Sequence, residues 1–200
     1  MRLLKLFAFV VALSAAINAA PIFQDNFNTE NGGVGQLNYT ALSQWTINQD
    51  SVDLIGNGLY DFYPGQGLFL DLDGTTGGAG NSQIATKLSF GPGSYNLSFF
   101  LGNNPGSGST TNQVKVEMGD WSATYNTSNS ILPTTINVSF STSVGGALTF
   151  SQFGPSDQQG SILDNVELTN LTKSAETPEP STWAMLAAGA ALVSVRRFRK

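Results

Sequence analysis

The chain has 200 residues and a formal net charge of −5, and it contains neither cysteine nor histidine. These absences exclude a disulfide framework, a thiol nucleophile, a His-ligated zinc site and a Ser-His-Asp triad. Between the terminal segments the only bases are Lys87, Lys115 and Lys173. Nucleic acid is therefore not expected as a partner, because binding to phosphates requires clustered lysine or arginine.

The N-terminal segment has the layout of a secretory signal peptide. A basic start precedes an apolar run over residues 6–16, and Ala19 and Ala20 supply small residues near a cleavage site. Cleavage after Ala19 is favoured, because cleavage after Ala20 would place Pro21 directly behind the scissile bond. We therefore expect residues 1–19 to be a signal peptide and the rest of the chain to be exported. An uncleaved N-terminal anchor is the alternative.

The central part of the chain is dominated by short runs in which apolar and polar residues alternate. Residues 95–101, for example, read Tyr-Asn-Leu-Ser-Phe-Phe-Leu. This alternation predicts half-buried strands, and sequences rich in glycine and proline predict the turns between them. Strands are predicted over residues 45–48, 52–55, 59–63, 68–72, 84–90, 95–101, 114–118, 121–126, 136–140, 148–153 and 162–168. Since no segment has a convincing helical period, the prediction is an all-β, antiparallel β-sandwich of jelly-roll type.

An aspartate lies among apolar residues near each end of this central part. Strict alternation places Asp25 on the same face as Phe23, and Asp164 on the same face as Ile162 and Val166. A buried carboxylate is costly unless it is paired or binds a metal. One Ca²⁺ shared by the two aspartates is one interpretation. Hydrogen bonds from backbone amides at the strand ends are the other.

These two segments also resemble the first and last strands of galactose-binding-like and carbohydrate-binding jelly rolls. Such modules often open with a strand in which Asn or Asp neighbours Phe, as in residues 23–27, and close with a sequence like residues 163–168. The resemblance implies a β-sandwich related to carbohydrate binding. It also implies one structural calcium near Asp25 and Asp164.

A second acidic segment covers residues 71–77 and reads Asp-Leu-Asp-Gly-Thr-Thr-Gly. Its start is similar to an EF-hand loop, but the later ligands and the glutamate at the twelfth position are absent. Alternation places Asp71 and Asp73 opposite Leu70 and Leu72, so we expect a solvated strand end followed by a turn. Binding of a second calcium or of sugar hydroxyls is the alternative.

Aromatic side chains are the candidate platforms for a sugar, because a sugar ring can stack on an exposed aromatic face. Trp45, Tyr63 and Trp121 are the predicted ligand-binding residues. The other candidates are Tyr60, Phe62, Phe69 and Tyr125. For each of these residues, a place in the core of the sandwich is the alternative.

Catalysis is not expected from this sequence. Without histidine or cysteine, the remaining option is a glycosidase, which requires two carboxylates at a suitable separation. The sequence offers many carboxylates but does not select a pair. We therefore predict a protein that is not an enzyme.

The C-terminal segment carries a rigid motif, an apolar run and a basic cluster, in that order. The motif is Pro178-Glu179-Pro180, whose prolines favour an extended, accessible segment. The apolar run over residues 183–195 predicts a membrane-spanning helix whose basic end stays on the cytoplasmic side. The basic residues that would stop transfer across the membrane are Arg196, Arg197, Arg199 and Lys200.

This arrangement resembles the PEP-CTERM sorting signal of exopolysaccharide-producing Gram-negative bacteria. The resemblance covers only the tail, and it implies that residues 178–180 are recognised by an exosortase, a membrane enzyme that processes such tails. It further implies an exported protein that is held at the inner membrane with its domain outside the cytoplasm. After processing, the protein would reach the cell surface or the extracellular matrix.

The predicted organisation is a signal peptide over residues 1–19, a β-sandwich over 20–172, a linker with the motif over 173–180, and the transmembrane helix with its basic tail over 181–200. The predicted function is that of a noncatalytic protein that is associated with exopolysaccharide or the cell envelope and binds carbohydrate. A structural matrix or adhesion protein without a small ligand is one alternative. A carboxylate-based glycosidase is the other.

Overall fold

Short strands form nearly all of the regular structure in the described part of the chain. The structure, a computed structural model, describes residues 20–76, 80–105, 112–127 and 133–172. They belong to one compact unit, Ala20–Lys173. Besides a single 3-10 turn at Glu30–Gly33, the regular elements of these residues are strands. The strands are β1 (Pro21–Asp25), β2 (Gln36–Tyr39), β3 (Trp45–Gln49), β4 (Val52–Gly56), β5 (Leu68–Asp71), β6 (Gln83–Thr86), β7 (Gly93–Asn103), β8 (Gln113–Met118), β9 (Trp121–Asn126), β10 (Thr134–Thr142), β11 (Thr149–Phe153) and β12 (Ser161–Asn170).

The strands form two sheets that pack face to face. The first sheet has the order β10-β7-β12-β5-β4-β2, and β1 pairs with the C-terminal half of β12. The second sheet has the order β3-β6-β11-β8-β9. Every pairing among the described strands is antiparallel. The predicted all-β, antiparallel two-sheet sandwich is therefore confirmed.

The main core lies between the two sheets and follows the alternation of the sequence. In β7, Leu97 and Phe99 are fully buried, whereas Ser98 between them is only partly buried. Phe99 packs edge-on against Phe150 of β11 in the second sheet, with ring centroids 5.2 Å apart. Because these side chains come from both sheets, their removal from water holds the sandwich together.

A second apolar cluster, here called the outer cluster, lies on the opposite face of the first sheet. Its buried members are Ile55, Phe69, Phe100 and Ile162. The segment between β4 and β5, residues 57–67, places Phe62 and Tyr63 over this cluster, and we call it the covering segment. Since both faces of β4 and β5 are covered, every residue of these two strands is buried. Strands that are buried on both faces lose the simple alternation of a half-exposed strand.

A β-bulge interrupts β12 and changes the faces predicted for its residues. Asp164 is opposite Phe100 and Glu167 is opposite Ser98, so β12 contains one extra residue there. Asn165, with φ of 49°, takes the left-handed conformation that one type of bulge uses. Asp164 therefore lies on the outer face of the first sheet, whereas Val166, two residues later, lies in the main core. The prediction that Asp164 and Val166 share one face is wrong, because strict alternation does not continue through a bulge.

Two further strand predictions differ from the structure. Residues 59–63 are not a strand but turns, in which Leu59 makes an isolated bridge to Gly56. The strand predicted over residues 84–90 ends at Thr86. Conversely, the sequence does not predict β2, because its four residues carry too short a pattern to stand out.

The predicted signal peptide and transmembrane helix lie outside the described residues. Within the residues that the structure does describe, no helix has the length and apolar character needed to cross a bilayer.

Candidate functional site

A cavity of about 350 Å³ opens beside the outer face of the first sheet. Its walls come from β2, β4, the end of β5, the covering segment and the turn between β11 and β12. We call it the outer cavity. Six of the residues that line it are Leu37, Asp53, Tyr60, Phe62, Asp71 and Gln159. The cavity thus combines apolar and aromatic side chains on one side with carboxylates and amides on the other.

Two aromatic rings form the apolar wall of the outer cavity. Tyr60 and Phe62 are stacked, with ring centroids 6.1 Å apart and an interplanar angle of 29°. Tyr60 has a φ of 48° and is 56% exposed, whereas Phe62 packs against the outer cluster. A hydrogen bond of 2.8 Å from the Phe62 amide to the Tyr60 carbonyl fixes the tight turn between them. Tyr60 therefore presents an accessible aromatic surface, and Phe62 beneath it is held in place by the outer cluster.

Asp53 forms part of the polar wall, and it connects β4 to two neighbouring segments. It is 4% exposed. Its Oδ1 accepts hydrogen bonds from the backbone amides of Asn38 (2.7 Å) and Thr75 (3.1 Å). Its Oδ2 accepts one from the Thr75 hydroxyl at 2.6 Å. The carboxylate is therefore held in one orientation at the edge of the cavity.

Asp71 lies directly opposite Asp53 across the β4–β5 pair, and it is 1% exposed. Its Oδ1 accepts hydrogen bonds from the backbone amides of Asp73 (2.9 Å) and Gly160 (2.8 Å), and its Oδ2 accepts one from Asn104 Nδ2 (2.8 Å). Only glycine fits at Gly160, because a Cβ there would lie 2.6 Å from Asp71 Oδ1. Burial raises the pKa of Asp71 to about 7, although its three donors oppose this shift.

Asp73 is also buried, at 2% exposure, and it organises the turn between β11 and β12. Its Oδ2 accepts hydrogen bonds from the backbone amides of Asp157 (3.1 Å) and Gln158 (2.8 Å). Burial raises the pKa of this carboxyl, and the nearby charge of Asp157 raises it further. The prediction that Asp71 and Asp73 face solvent is therefore wrong. The covering segment and this turn bury a face of the sheet that local alternation assigns to water.

Two acceptor atoms at the outer cavity have no hydrogen-bond donor among the described residues. They are Asp157 Oδ1 and Gln159 Oε1, and both atoms are buried. Both residues line the cavity. A buried acceptor without a donor is costly, so these atoms favour a ligand or water that can donate to them.

The predicted metal residues, Asp25 and Asp164, lie near each other where β1 ends beside the bulge of β12. Asp25 Oδ1 accepts a hydrogen bond from the Phe27 amide (2.9 Å), and its Oδ2 accepts one from Trp45 Nε1 (2.8 Å). Burial raises the pKa of Asp25, with a further contribution from the charge of Glu30.

Asp164 is fully buried, and its hydrogen bonds among the described residues come from Asn165 alone. Both the backbone amide (2.7 Å) and Nδ2 (2.9 Å) of Asn165 donate to it. Burial raises the pKa of Asp164 to about 7, and the charge of Asp25 raises it as well. The described residues contain no group of three or more His, Cys, Asp or Glu side chains that could hold a metal ion. A shared calcium stays a prediction that rests on this pair.

The structure gives the three predicted ligand-binding aromatics different surroundings. Trp45 is 1% exposed and packs among core rings, so its indole is not accessible to a sugar and this prediction is corrected. Trp121 is half-buried, and one face of its indole stacks on Phe140 with ring centroids 3.9 Å apart. Contact between the other face and a ligand stays a prediction.

Tyr63 anchors the covering segment to the sheet. Its hydroxyl donates a hydrogen bond to the Asn103 carbonyl at 2.5 Å and accepts one from the Asn103 amide at 3.2 Å. Its ring packs edge-on against Phe69 and Phe100. Burial raises the pKa of the hydroxyl. Tyr63 thus positions the neighbouring aromatic pair and does not itself line the outer cavity.

The sequence does not single out several residues of the outer cavity. Asp53 offered a signal, because it is a lone carboxylate within the otherwise apolar run of residues 52–55. Asn104, Asp157 and Gln159 offered none, since they lie in turns whose composition is ordinary for a β protein. The predicted sorting residues, Pro178, Glu179 and Pro180, and the basic residues of the tail lie outside the described part of the chain.

Comparison with known proteins identifies the tail and the class of the fold. Residues 176–200 match the family described as the PEP-CTERM protein-sorting motif, so the chain carries this motif. A search of curated proteins found no match.

The described domain is structurally similar to carbohydrate-binding β-sandwich modules. It matches the tandem CBM22-1-CBM22-2 domain of Xyn10C from Paenibacillus barcinonensis with a TM-score of 0.50 and 16% identity, over 82% of this chain and 50% of that one. It matches the single CBM22-1 xylan-binding domain of the same protein with a TM-score of 0.49 and 16% identity, over 80% and 100%. A third match is TmCBM61 in complex with β-1,4-galactotriose, with a TM-score of 0.46 and 11% identity over 72% and 94%. At these identities the likeness concerns the fold.

Proposed function

We propose that this chain is an exported, surface-directed protein without catalytic activity that binds carbohydrate in the outer cavity. The observation that carries the proposal is the pairing of Tyr60 and Phe62 with a wall of fixed carboxylates and amides. Sugar rings have apolar faces that stack on aromatic rings, and hydroxyl edges that donate to oxygen acceptors. A cleft with both kinds of surface, already formed before binding, suits such a ligand.

The PEP-CTERM motif supports the cellular part of the proposal. In this reading residues 1–19 direct export, residues 173–180 present Pro178-Glu179-Pro180 to an exosortase, and residues 181–200 hold the chain in the inner membrane. The domain then lies outside the cytoplasm, where matrix polysaccharide is the available ligand. Its strand order suits a jelly roll of the galactose-binding-like kind.

The absence of catalytic activity is part of the proposal. The chain has no histidine and no cysteine, so acid–base and nucleophilic chemistry would depend on carboxylates alone. At the outer cavity Asp53 already accepts hydrogen bonds from two backbone amides and a hydroxyl. Carboxylates that are fixed in this way serve recognition better than they serve proton transfer.

One structural Ca²⁺ also belongs to the proposal. Asp25 and Asp164 would supply carboxylate oxygens from β1 and from the bulge of β12. Oxygen ligands of this type are those that calcium prefers. A cation there would offset the burial of Asp164 and the repulsion between the two charges.

A glycan array tests the binding proposal with the full chain purified in detergent. We expect saturable binding that Tyr60→Ala weakens about tenfold or more, because the variant removes the stacking surface. Phe153→Ala is the matched control, since Phe153 is an exposed aromatic at the end of β11 in the other sheet, 45% exposed. An array without saturable binding would instead support a structural matrix or adhesion protein. Release of reducing sugar would support a glycosidase.

A further inference from the structure

We propose that the outer cavity selects glycans that carry free amino groups and rejects glycans that carry carboxylates. This inference rests on the proposed function, because it specifies the class of carbohydrate that the same cavity binds. It follows from the charge and the hydrogen-bonding character of the cavity wall.

The cavity wall carries negative charge without a compensating base. Asp53 and Asp157 line the cavity, and none of its lining residues is Lys or Arg. Asp71 lines it too, but burial raises the pKa of Asp71 to about 7, so in mildly acidic solution this carboxyl keeps its proton and adds no charge. In the part of the chain that the structure describes, the only bases are Lys87 and Lys115. Both are engaged elsewhere. Lys87 Nζ donates to the Leu42 carbonyl at 2.8 Å, and Lys115 Nζ is paired with a glutamate at 2.7 Å.

Hydrogen bonding at the cavity favours a ligand that donates. Asp157 Oδ1 and Gln159 Oε1 are buried and receive no donor from the described residues. An ammonium group offers three donors and no acceptor, whereas a carboxylate offers acceptors alone. A uronate would therefore face like charge and unsatisfied acceptors together, and both effects disfavour its binding.

The aromatic wall favours the same ligand. An ammonium over the face of Tyr60 or Phe62 gains a cation–π attraction that an N-acetyl group lacks. A protonated amine also attracts the carboxylate of Asp53, which is 4% exposed at the edge of the cavity. A neutral hydroxyl satisfies the acceptors but offsets none of this charge. The expected order of affinity is thus amino sugar, then neutral sugar, then uronate.

Calorimetry on the full chain in detergent tests this order with three oligosaccharides of equal length. They are glucosamine, N-acetylglucosamine and galacturonate oligomers, in mildly acidic buffer with salt near physiological strength, which screens long-range attraction. We expect the glucosamine oligomer to bind about tenfold or more tightly than its N-acetylated counterpart, as a charge-assisted hydrogen bond predicts. The galacturonate oligomer should not bind.

Two variants separate local recognition from the overall charge of the protein. Asp157→Asn keeps the shape of the side chain and removes the charge of a residue that lines the cavity. Glu117→Gln removes one charge from β8 in the other sheet and is the matched control. We expect Asp157→Asn to reduce the preference for the amine severalfold without weakening the neutral oligomer, and Glu117→Gln to leave both affinities unchanged.

The possible negative results distinguish failure of this inference from failure of the proposed function. Equal binding of the amine and its N-acetylated counterpart would overturn this inference and leave the proposed function standing. An equal loss in Asp157→Asn and Glu117→Gln would also overturn it, because the attraction would then come from net charge. If no glycan of any charge binds, the proposed function itself fails.

Discussion

The buried carboxyl of Asp71 should make the stability of the domain depend on pH. Asp71 is 1% exposed, and burial raises its pKa from 3.8 to about 7 in the folded chain. Between these two values the folded chain keeps the proton that the unfolded chain releases. This retained proton stabilises the folded chain. The stabilisation is fully present below pH 3.8 and is lost as the pH rises through about 7.

The magnitude follows from the two pKa values. The difference between 3.8 and about 7 corresponds to about 4 kcal/mol, of which about 3 kcal/mol lies between pH 5 and pH 8. That is a large part of the roughly 5–15 kcal/mol that stabilises an ordinary domain. Asp164 changes in the same direction, so the wild-type dependence includes both groups.

Asp71→Asn isolates the contribution of this one carboxyl. The amide oxygen can still accept from the Asp73 and Gly160 amides, but the side chain no longer titrates. Urea unfolding of residues 20–172, at about pH 5 and about pH 8 with a chelator present, gives the free energy of unfolding. We expect the loss between the two pH values to be about 3 kcal/mol smaller in Asp71→Asn than in the wild type.

Asp61→Asn, which changes an exposed carboxyl in the covering segment, is the matched control and should behave like the wild type. If Asp71→Asn and the wild type lose equal stability across this range, then Asp71 is ionised in the folded domain. The reasoning from burial would then be refuted.

Three further predictions concern the metal, the core and the tail. If Asp25 and Asp164 share a calcium, an ion concentration about a hundredfold above its dissociation constant should stabilise the domain by about 3 kcal/mol, and Asp164→Ala should abolish the response. Melting curves that are identical in calcium and chelator would exclude the site. Trp45→Ala should cost about 3–5 kcal/mol in urea unfolding, because Trp45 is 1% exposed; a loss below about 1 kcal/mol would contradict its core position. Replacing Glu179 and Pro180 by alanine should leave the tail uncleaved in an exosortase-containing host. Mass spectrometry that finds the wild-type tail equally intact would contradict processing.

The sequence predicts the sandwich well where one face of a strand meets the core and the other meets water. In β7, Leu97 and Phe99 are buried and Ser98 is not, as the alternation indicates. The same rule fails in β5, where Phe69 and Asp71 are as buried as their neighbours. Local periodicity shows which residues share a face of a strand. It does not show that another segment of the chain covers the outer face.

Neither the bulge nor the cavity can be predicted from the sequence, and the reasons are related. One extra residue at Asn165 reverses the faces of β12, and nothing in the sequence marks Asn165 as the residue with positive φ. The outer cavity joins Asp53, Tyr60 and Gln159, which lie far apart in the chain and in separate elements. Only the assembled sheet order brings them together, so residue types alone could suggest aromatic platforms but not their partners.

Structure and recognition are coupled at the outer cavity through its carboxylates. Asp71 accepts the Gly160 amide and Asp73 accepts the amides of Asp157 and Gln158, so the two buried acids hold the turn that lines the cavity. The hydrogen bonds that position the turn also place Asp157 in the wall of the cavity. A cationic ligand would stabilise this arrangement and an anionic one would oppose it. The selectivity proposed for the cavity is therefore a consequence of how the turn is built.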